Sequence, residues 1–223
     1  MFKNKKFAAF LFDMDGTVLN SIPVVERVWG SWAKRHGLDV EAFLKTVHGI
    51  RAIDTINRLG LPGVDAQKEA LQLLEDEIAD IDGILPIPGV LPFLAALPPE
   101  RWAIVTSAPR DLALKRMAAS GIPLPRTMVT GEDVSHGKPA PDCYLLGAKR
   151  LGVDARDCLV FEDAPAGIEA GRAAGADVVV ITATHQHPVE TEHLMISSYD
   201  GIRAVSDNQG LMLLAAETAA LAC

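Results

Sequence analysis

Two aspartates stand two residues apart where an apolar run ends, in the stretch LFDMDGT. Side chains two apart on an extended chain point the same way, so Asp13 and Asp15 share one side while Met14 turns into the core. Such a pair can form a turn, hold a metal ion, or act as a nucleophile and an acid. Asp15-Gly16 alone predicts a turn, so the choice depends on what else the fold brings to this point.

Three further segments place polar side chains after apolar runs, two of them directly and one on the loop that follows. They contain, in chain order, Thr106 with Ser107 after AIV, Lys138 after TMVT, and Glu162 with Asp163 after CLVF. In open α/β sheets, ligands bind outside the carboxyl ends of the strands. We therefore expect the four segments to meet at one rim of a sheet.

This set of residues predicts a phosphoryl-transfer site. Asp13, Asp15, Glu162 and Asp163 concentrate negative charge that is costly without a cation, and Mg²⁺ commonly binds carboxylates together with a substrate phosphate. Lys138 would add a positive charge, and Thr106, Ser107 and the following helix N-terminus would supply donors for an anion. One carboxylate would attack phosphorus while another protonates the leaving oxygen.

Each of these residues also has a plainer interpretation. A lysine in a Gly/Pro loop is ordinarily a solvated charge, and Glu162-Asp163 can be a solvated loop. Thr106 can simply end a strand, and Ser107 can simply cap a helix. The catalytic interpretation is favoured because all four segments occur together.

The pattern of elements predicts an α/β fold with a doubly wound, mainly parallel sheet. Five apolar runs read as buried strands, and Ala/Leu-rich helical patterns that end near glycines separate the later ones. The runs are Phe7–Phe12, Trp102–Thr106, Thr127–Thr130, Cys158–Glu162 and Asp177–Thr182. The stretch IRAVSDNQGLMLL predicts a hairpin on an edge of the sheet.

Residues 20–88 interrupt this alternation with about four helical patterns and no strand pattern. We expect them to form a small α-helical cap domain over Asp13 and Asp15, joined to the core by the return linker LPIPGV. Residues 1–19 and 89–223 would form the α/β core domain. Trp29 and Trp32, at helical spacing, are expected in the core of the cap.

Composition narrows the class and the partners. The chain has 223 residues, 49% of them hydrophobic, and a formal net charge of -8. Without a basic footprint, no nucleic-acid or membrane partner is expected. Three widely spaced cysteines, Cys143, Cys158 and Cys223, argue against a disulfide framework. With no signal-peptide or transmembrane pattern, we expect a cytoplasmic monomer.

The stretches FDMDGTVLNS, IVTSA, GKPAPD and VFEDAPAGIEAG resemble the four ordered motifs of the haloacid dehalogenase (HAD) superfamily. The resemblance spans about residues 7 to 185 and is nearest to the helical-cap branch, in particular to bacterial sugar phosphatases of the hexitol or 2-deoxyglucose phosphate type. It implies a Mg²⁺-dependent hydrolase that releases phosphate from small phosphorylated sugars or polyols. One departure is Asn20, where many relatives have Asp.

The resemblance also implies individual roles. Asp13 would be the nucleophile that forms an aspartyl-phosphate, and Asp15 the general acid and then the base. Thr106 and Lys138, with Ser107, would hold the phosphoryl group. Magnesium would be bound by Asp163 and Glu162 together with Asp13 and the Asp15 carbonyl.

Two other functions stay open. Hexose-phosphate mutases of the β-phosphoglucomutase type look similar but carry a cap histidine where this chain has Val25. A non-catalytic phosphate sensor could also keep the fold, although four intact motifs argue against it. Dehalogenases lack an acid at the Asp15 position, so Asp15 favours phosphate chemistry.

The stretch VHGIRAID resembles the substrate-specificity loop of the family. His48 and Arg51 would then reach into the site, with Gly49 providing the bend. The alternative is a plain connection between helices with Arg51 exposed at a helix start, and the sequence does not separate the two.

Overall fold

The structure is a computed structural model that describes residue 2, residues 5–186 and residues 191–215. The strands are β1 (Ala9–Phe12), β2 (Leu19–Asn20), β3 (Leu85–Pro86), β4 (Trp102–Val105), β5 (Thr127–Val129), β6 (Cys158–Glu162), β7 (Asp177–Ile181), β8 (Leu194–Ile196), β9 (Ile202–Asp207) and β10 (Gly210–Ala215). The helices are α1 (Ile22–Arg35), α2 (Val40–Leu44), α3 (Ala52–Leu59), α4 (Ala66–Ala79), α5 (Val90–Ala95), α6 (Arg110–Ser120), α7 (Asp142–Leu151) and α8 (Pro165–Ala173). Cys223 lies outside the described residues.

Six strands form one sheet in the order β5-β4-β1-β6-β7-β8, and every neighbouring pair is parallel. The α/β prediction is confirmed, and the five predicted runs coincide with β1, β4, β5, β6 and β7. The edge strand β8 was not predicted from the sequence. It has only three residues and none of them is fully buried, so it lacks the continuous apolar run of the other strands.

Alternate residues of each central strand enter different layers of core. In β1, Phe10 and Phe12 join the cluster that includes α5 and α6, whereas Ala9 and Leu11 join the cluster with α7 and α8. Strands covered on both faces read as continuous apolar runs, which explains why FAAFLF identified β1. The two covered faces make the sheet doubly wound.

Aromatic rings fill the layer beneath the carboxyl end of β1. Phe12 stacks on Phe161 of β6 with ring centroids 4.5 Å apart, and Phe93 of α5 meets Phe10 at 6.4 Å. Tyr199 closes the cluster, and its hydroxyl donates to the carbonyl of Thr17 at 3.2 Å. This packing anchors the loop that carries the two aspartates.

Helices α1 to α4 all lie between β2 and β3, as the periodicity of residues 20–88 predicted. The short strands themselves were not predicted: Leu19 pairs with Pro86 and Asn20 with Leu85, so part of the predicted return linker is one side of an antiparallel ribbon. We call the part of the chain that contains α1 to α4 the helical segment. Trp29 and Trp32 are 5% and 0% exposed, which confirms their place in its core.

The C-terminal hairpin is confirmed, but its predicted position on the edge of the sheet is wrong. Strands β9 and β10 form their own antiparallel pair, and Leu211 of β10 bridges to Phe7, just before the central strand β1. The turn holds because Asp207 accepts hydrogen bonds from the backbone N–H groups of Gln209 and Gly210. Across the described ranges, no helix combines the length and apolarity needed to cross a bilayer.

We predict that Phe10→Ala lowers the free energy of unfolding by about 3–5 kcal/mol, because the phenyl ring is fully buried and its removal leaves a cavity. Urea unfolding measures the change. The matched control is Leu124→Ala, at a side chain 70% exposed, where a shift within about 0.5 kcal/mol is expected. Equal effects of the two substitutions would contradict the packing described here.

Candidate active site

The loop after β1 brings Asp13 to the carboxyl end of the sheet. Its backbone N–H donates to the carbonyl of Phe161 at 2.9 Å, so the chain leaves β1 in register with β6. Gly16 then turns the loop with φ of +87°, and a Cβ there would lie 2.0 Å from Oδ2 of Asp163. The glycine is required both by the backbone conformation and by the close approach of Asp163.

Lys138 joins two of the buried carboxylates. Its ammonium, on a side chain only 1% exposed, donates to Oδ1 of Asp13 at 2.5 Å and to Oε1 of Glu162 at 2.6 Å. Burial alone would lower the pKa of Lys138, but the two carboxylates outweigh it and raise that pKa. Lys138 is therefore a buried, paired charge, and its interpretation as a solvated loop charge is wrong.

Glu162 is bonded through both carboxylate oxygens. Besides Lys138, Oε1 accepts from the hydroxyl of Tyr144 at 2.9 Å, while Oε2 accepts from the backbone N–H groups of Asp163 at 2.9 Å and Ala164 at 3.1 Å. Through these hydrogen bonds, Glu162 orients Lys138 and the turn that leads into α8. Asp163 is less occupied: Oδ1 accepts from Thr17 at 3.3 Å, and Oδ2 has no hydrogen-bond partner among the described residues.

The acidic cluster matches the requirements of a divalent cation. Oxygens of Asp13, Glu162 and Asp163 lie within 4.8 Å of one another, and all three residues are buried. When ionised, they outnumber the single ammonium of Lys138 by two negative charges. Burial, followed by repulsion from Glu162, raises the pKa of Asp13 and of Asp163 well above the usual range. A bound dication would remove this excess of charge.

Thr106 and Ser107 follow β4, as predicted, but neither caps a helix. Thr106 is 2% exposed, and its hydroxyl oxygen accepts from the backbone N–H of Ala108 at 3.0 Å. The hydroxyl of Ser107 donates to the carbonyl of Gly49 at 2.9 Å, across to the helical segment. Helix α6 begins at Arg110, and Pro109 is its N-cap residue.

A small cavity of about 80 Å³ lies between the sheet and the helical segment. The predicted residues on its wall are Asp13, Asp15, Thr106, Ser107 and His48. Lys138, Glu162 and Asp163 are not on its wall, and they join Asp13 through the Lys138 ion pair and the acidic cluster. Desolvation lowers the pKa of His48, which therefore faces the cavity chiefly as a neutral ring near pH 7.

Arg51 does not line this cavity. Its guanidinium holds Asp54 at 2.6 Å and donates to the carbonyls of Val134 at 3.0 Å and Ser135 at 3.1 Å. It is not an exposed helix-start residue either, since only 17% of the side chain is accessible. Arg51 instead joins the start of α3 to the loop that leads to Lys138.

Sequence reasoning missed three residues around Asp15. Oδ1 of Asp15 accepts from the hydroxyl of Ser21 at 2.6 Å and from Arg116 at 2.9 Å, and Arg116 also donates to Glu77 at 2.9 Å. A signal existed in the helical spacing. Arg116 falls on the face of α6 that carries Leu112 and Ser120, and a charge on such a buried face needs a partner.

Comparisons with known proteins agree with this geometry. The family description "haloacid dehalogenase-like hydrolase" matches residues 7–175. Hexitol phosphatase A of Escherichia coli is 40% identical over 213 residues, covering 92% of this chain and 97% of that protein. The 2-deoxyglucose-6-phosphate phosphatase 2 of Saccharomyces cerevisiae is 32% identical over 201 residues, covering 80% and 81%.

Among solved structures, β-phosphoglucomutase of Clostridium difficile superposes with a TM-score of 0.71 at 22% identity, covering 86% of this chain and 91% of that one. At that identity, the likeness shows the fold alone. The resemblance found in the four sequence motifs is confirmed: the chain belongs to the haloacid dehalogenase-like hydrolases.

Proposed function

We propose that this protein is a Mg²⁺-dependent phosphatase of small sugar or polyol phosphates. One observation carries the proposal: Asp13 and Asp15 face a single cavity, and behind Asp13 lies a buried cluster that combines an ammonium with an excess of carboxylates. This arrangement supplies a nucleophile, a second carboxylate for proton transfer and groups for a phosphoryl anion. The small cavity favours a small substrate.

The substrate class is supported by the relatives. Hexitol phosphatase A and 2-deoxyglucose-6-phosphate phosphatase act, by their names, on a phosphorylated polyol and a phosphorylated sugar. We infer that the carbon chain of a similar substrate occupies the part of the cavity nearest to Trp29 and His48. There His48 would contact substrate, while Arg51 would contribute by holding the loop before Lys138.

The reaction proceeds in two displacements. A carboxylate oxygen of Asp13 forms a bond to phosphorus as the bond to the leaving oxygen breaks, and Asp15 gives that oxygen a proton. Asp15, now ionised, takes a proton from water, whose oxygen attacks phosphorus and releases Asp13 and inorganic phosphate. Lys138, the hydroxyl of Thr106 and the backbone N–H of Ser107 stabilise the phosphoryl oxygens.

Magnesium would be held by Asp13, Asp163 and the carbonyl oxygen of Asp15, with Glu162 completing the acidic surroundings. When bound, the ion supplies positive charge that offsets the repulsion between a carboxylate nucleophile and an anionic phosphate. The protein's own contribution is to hold the carboxylate oxygens of Asp13, Glu162 and Asp163 within 4.8 Å of one another before any substrate arrives.

We further propose that residues 20–88 act as a cap domain over a core of residues 1–19 and 89–223. The contacts at the cavity support it, since the Ser107 hydroxyl binds the Gly49 carbonyl across the two parts. Closure would exclude water from the site. We also propose that the protein is a monomer located in the cytoplasm. The free, buried thiols of Cys143 and Cys158 agree with a reducing compartment.

We predict that Asp13→Asn lowers kcat for a hexitol phosphate by at least ~10³-fold, because an amide oxygen is a poor nucleophile. Initial rates of phosphate release measure the loss. Asp82→Asn, at an exposed loop aspartate, is the matched control and should keep wild-type turnover. Near-wild-type hydrolysis by the Asp13 variant would overturn the mechanism.

Removal of divalent ions is expected to abolish turnover, and Mg²⁺ should restore it. Dialysis against EDTA followed by titration with MgCl₂ tests this through phosphate release. Because a ligand that binds only the folded state stabilises it, Mg²⁺ should also raise the melting temperature. The Asp163→Asn variant should lose both responses, and unchanged activity in EDTA would remove the metal from the proposal.

Hydrolysis rather than phosphate transfer within a sugar is also expected. Val25, where mutases carry a histidine, is an apolar wall of the cavity and supplies no proton-transferring group. With β-glucose 1-phosphate as substrate, a coupled assay should detect free phosphate and glucose but no glucose 6-phosphate. Formation of glucose 6-phosphate would support the mutase alternative.

A further inference from the structure

A buried arginine connects Asp15 to the helical segment. Arg116, 3% exposed on α6, donates through Nη1 to Oδ1 of Asp15 and through Nη2 to Oε1 of Glu77 on α4, both at 2.9 Å. The three side chains come from three separate parts of the chain: the loop after β1, the inserted helices and the core. They line the same cavity as Asp13.

Stability does not explain why these charges are buried. Removing an arginine and a carboxylate from water is costly, and apolar residues of similar volume often replace such networks without loss of stability. Burial raises the pKa of Glu77 even with Arg116 beside it, which shows the same cost. A network of this kind against a reacting carboxylate therefore points to a role in the reaction.

Both side-chain donors to Asp15 bind the same carboxylate oxygen. Ser21 donates to Oδ1 at 2.6 Å and Arg116 donates to Oδ1 at 2.9 Å, whereas Oδ2 has no hydrogen-bond partner among the described residues. An oxygen that already accepts from two donors is a poor place for a proton. When Asp15 is protonated, the proton therefore belongs on Oδ2.

We propose that Arg116, held in place by Glu77, is a positioning residue that fixes Oδ1 of Asp15 as an acceptor and leaves Oδ2 to deliver the proton to the leaving oxygen. This inference rests on the proposed function, in which Asp15 is the acid. The proton moves from Oδ2 to the ester oxygen as its bond to phosphorus breaks. Since Glu77 belongs to α4, Arg116 is held at Asp15 by a second carboxylate when the helical segment contacts α6.

The test compares two substrates that differ in their need for an acid. Sorbitol 6-phosphate has an alkoxide leaving group that must be protonated, whereas 2,4-dinitrophenyl phosphate releases a stable phenolate. General-acid catalysis is worth about 10²–10⁴-fold, so in a single turnover Asp15→Asn should slow the release of sorbitol by that factor and the release of the dinitrophenolate only a few-fold. A single turnover is measured because Asp15 also deprotonates water in the second displacement, a step that both substrates share. This ratio of losses is the signature of a missing acid.

Arg116→Lys keeps the charge but removes the fork that reaches two carboxylates. We expect the release of sorbitol in a single turnover to slow ~10–100-fold at saturating enzyme, and the release of the dinitrophenolate to change by less than about 3-fold. In the Asp15→Asn background, the same change should cost little more, because both act on one proton transfer. If Arg116→Lys does not fold, Arg116→Met/Glu77→Gln removes the charge of Glu77 together with that of Arg116. It leaves only Asp15, whose side chain is 24% exposed, without its arginine, and it should show the same pattern.

Arg150→Met is the matched control. Arg150 also joins two elements through an ion pair, with Asp133 at 2.7 Å, but lies outside the cavity. Its loss should lower stability without changing the ratio between the two substrates. Equal slowing of leaving-group release from both substrates in the Arg116 variants, or an unchanged release rate at saturating enzyme, would overturn the inference while leaving the proposed function intact. An active Asp13→Asn variant would instead overturn the proposed function itself.

Discussion

The excess of buried negative charge behind Asp13 constrains the rest of the molecule. Three carboxylates and one ammonium can occupy so small a volume only if each is held by donors or faces a cation. Donors to the carboxylates are Tyr144 of α7, the backbone N–H groups of Asp163 and Ala164 before α8, and the hydroxyl of Thr17, and they belong to the segments that follow β5, β6 and β1. The parallel sheet is the element that aligns those loops.

Much of the fold was predictable because the central strands are covered on both faces. Continuous apolar runs gave β1, β4, β5, β6 and β7 a clear signal, whereas β8 and the ribbon of β2 with β3 are too short to have one. The misplaced hairpin shows a different limit. Its turn is encoded locally by Asp207 and Gly210, but its contact with Phe7 depends on packing some two hundred residues away in sequence.

The candidate site divides in the same way. Asp13 at a strand end and Lys138 on the loop after a strand could be found because the sheet brings strand ends together. The helical spacing marks Arg116 as a buried charge, but its pairing with Glu77 could not be assigned, because it depends on how α4 packs against α6 and no local pattern encodes that contact. The loop around His48 lies between these two cases, because its motif was visible in the sequence. Only the structure shows that His48 lines the cavity whereas Arg51 donates to the loop that leads to Lys138.

The ribbon of β2 and β3 has a consequence for how such a chain can diversify. The helical segment leaves the core at Asn20 and returns at Leu85, and these two residues are paired neighbours. An insertion whose ends already meet places no strain on the sheet, so its length and sequence can change while the catalytic loops stay in register. New specificities could therefore arise by exchanging one module above an unaltered reaction centre, provided that the module keeps an acid able to reach Arg116.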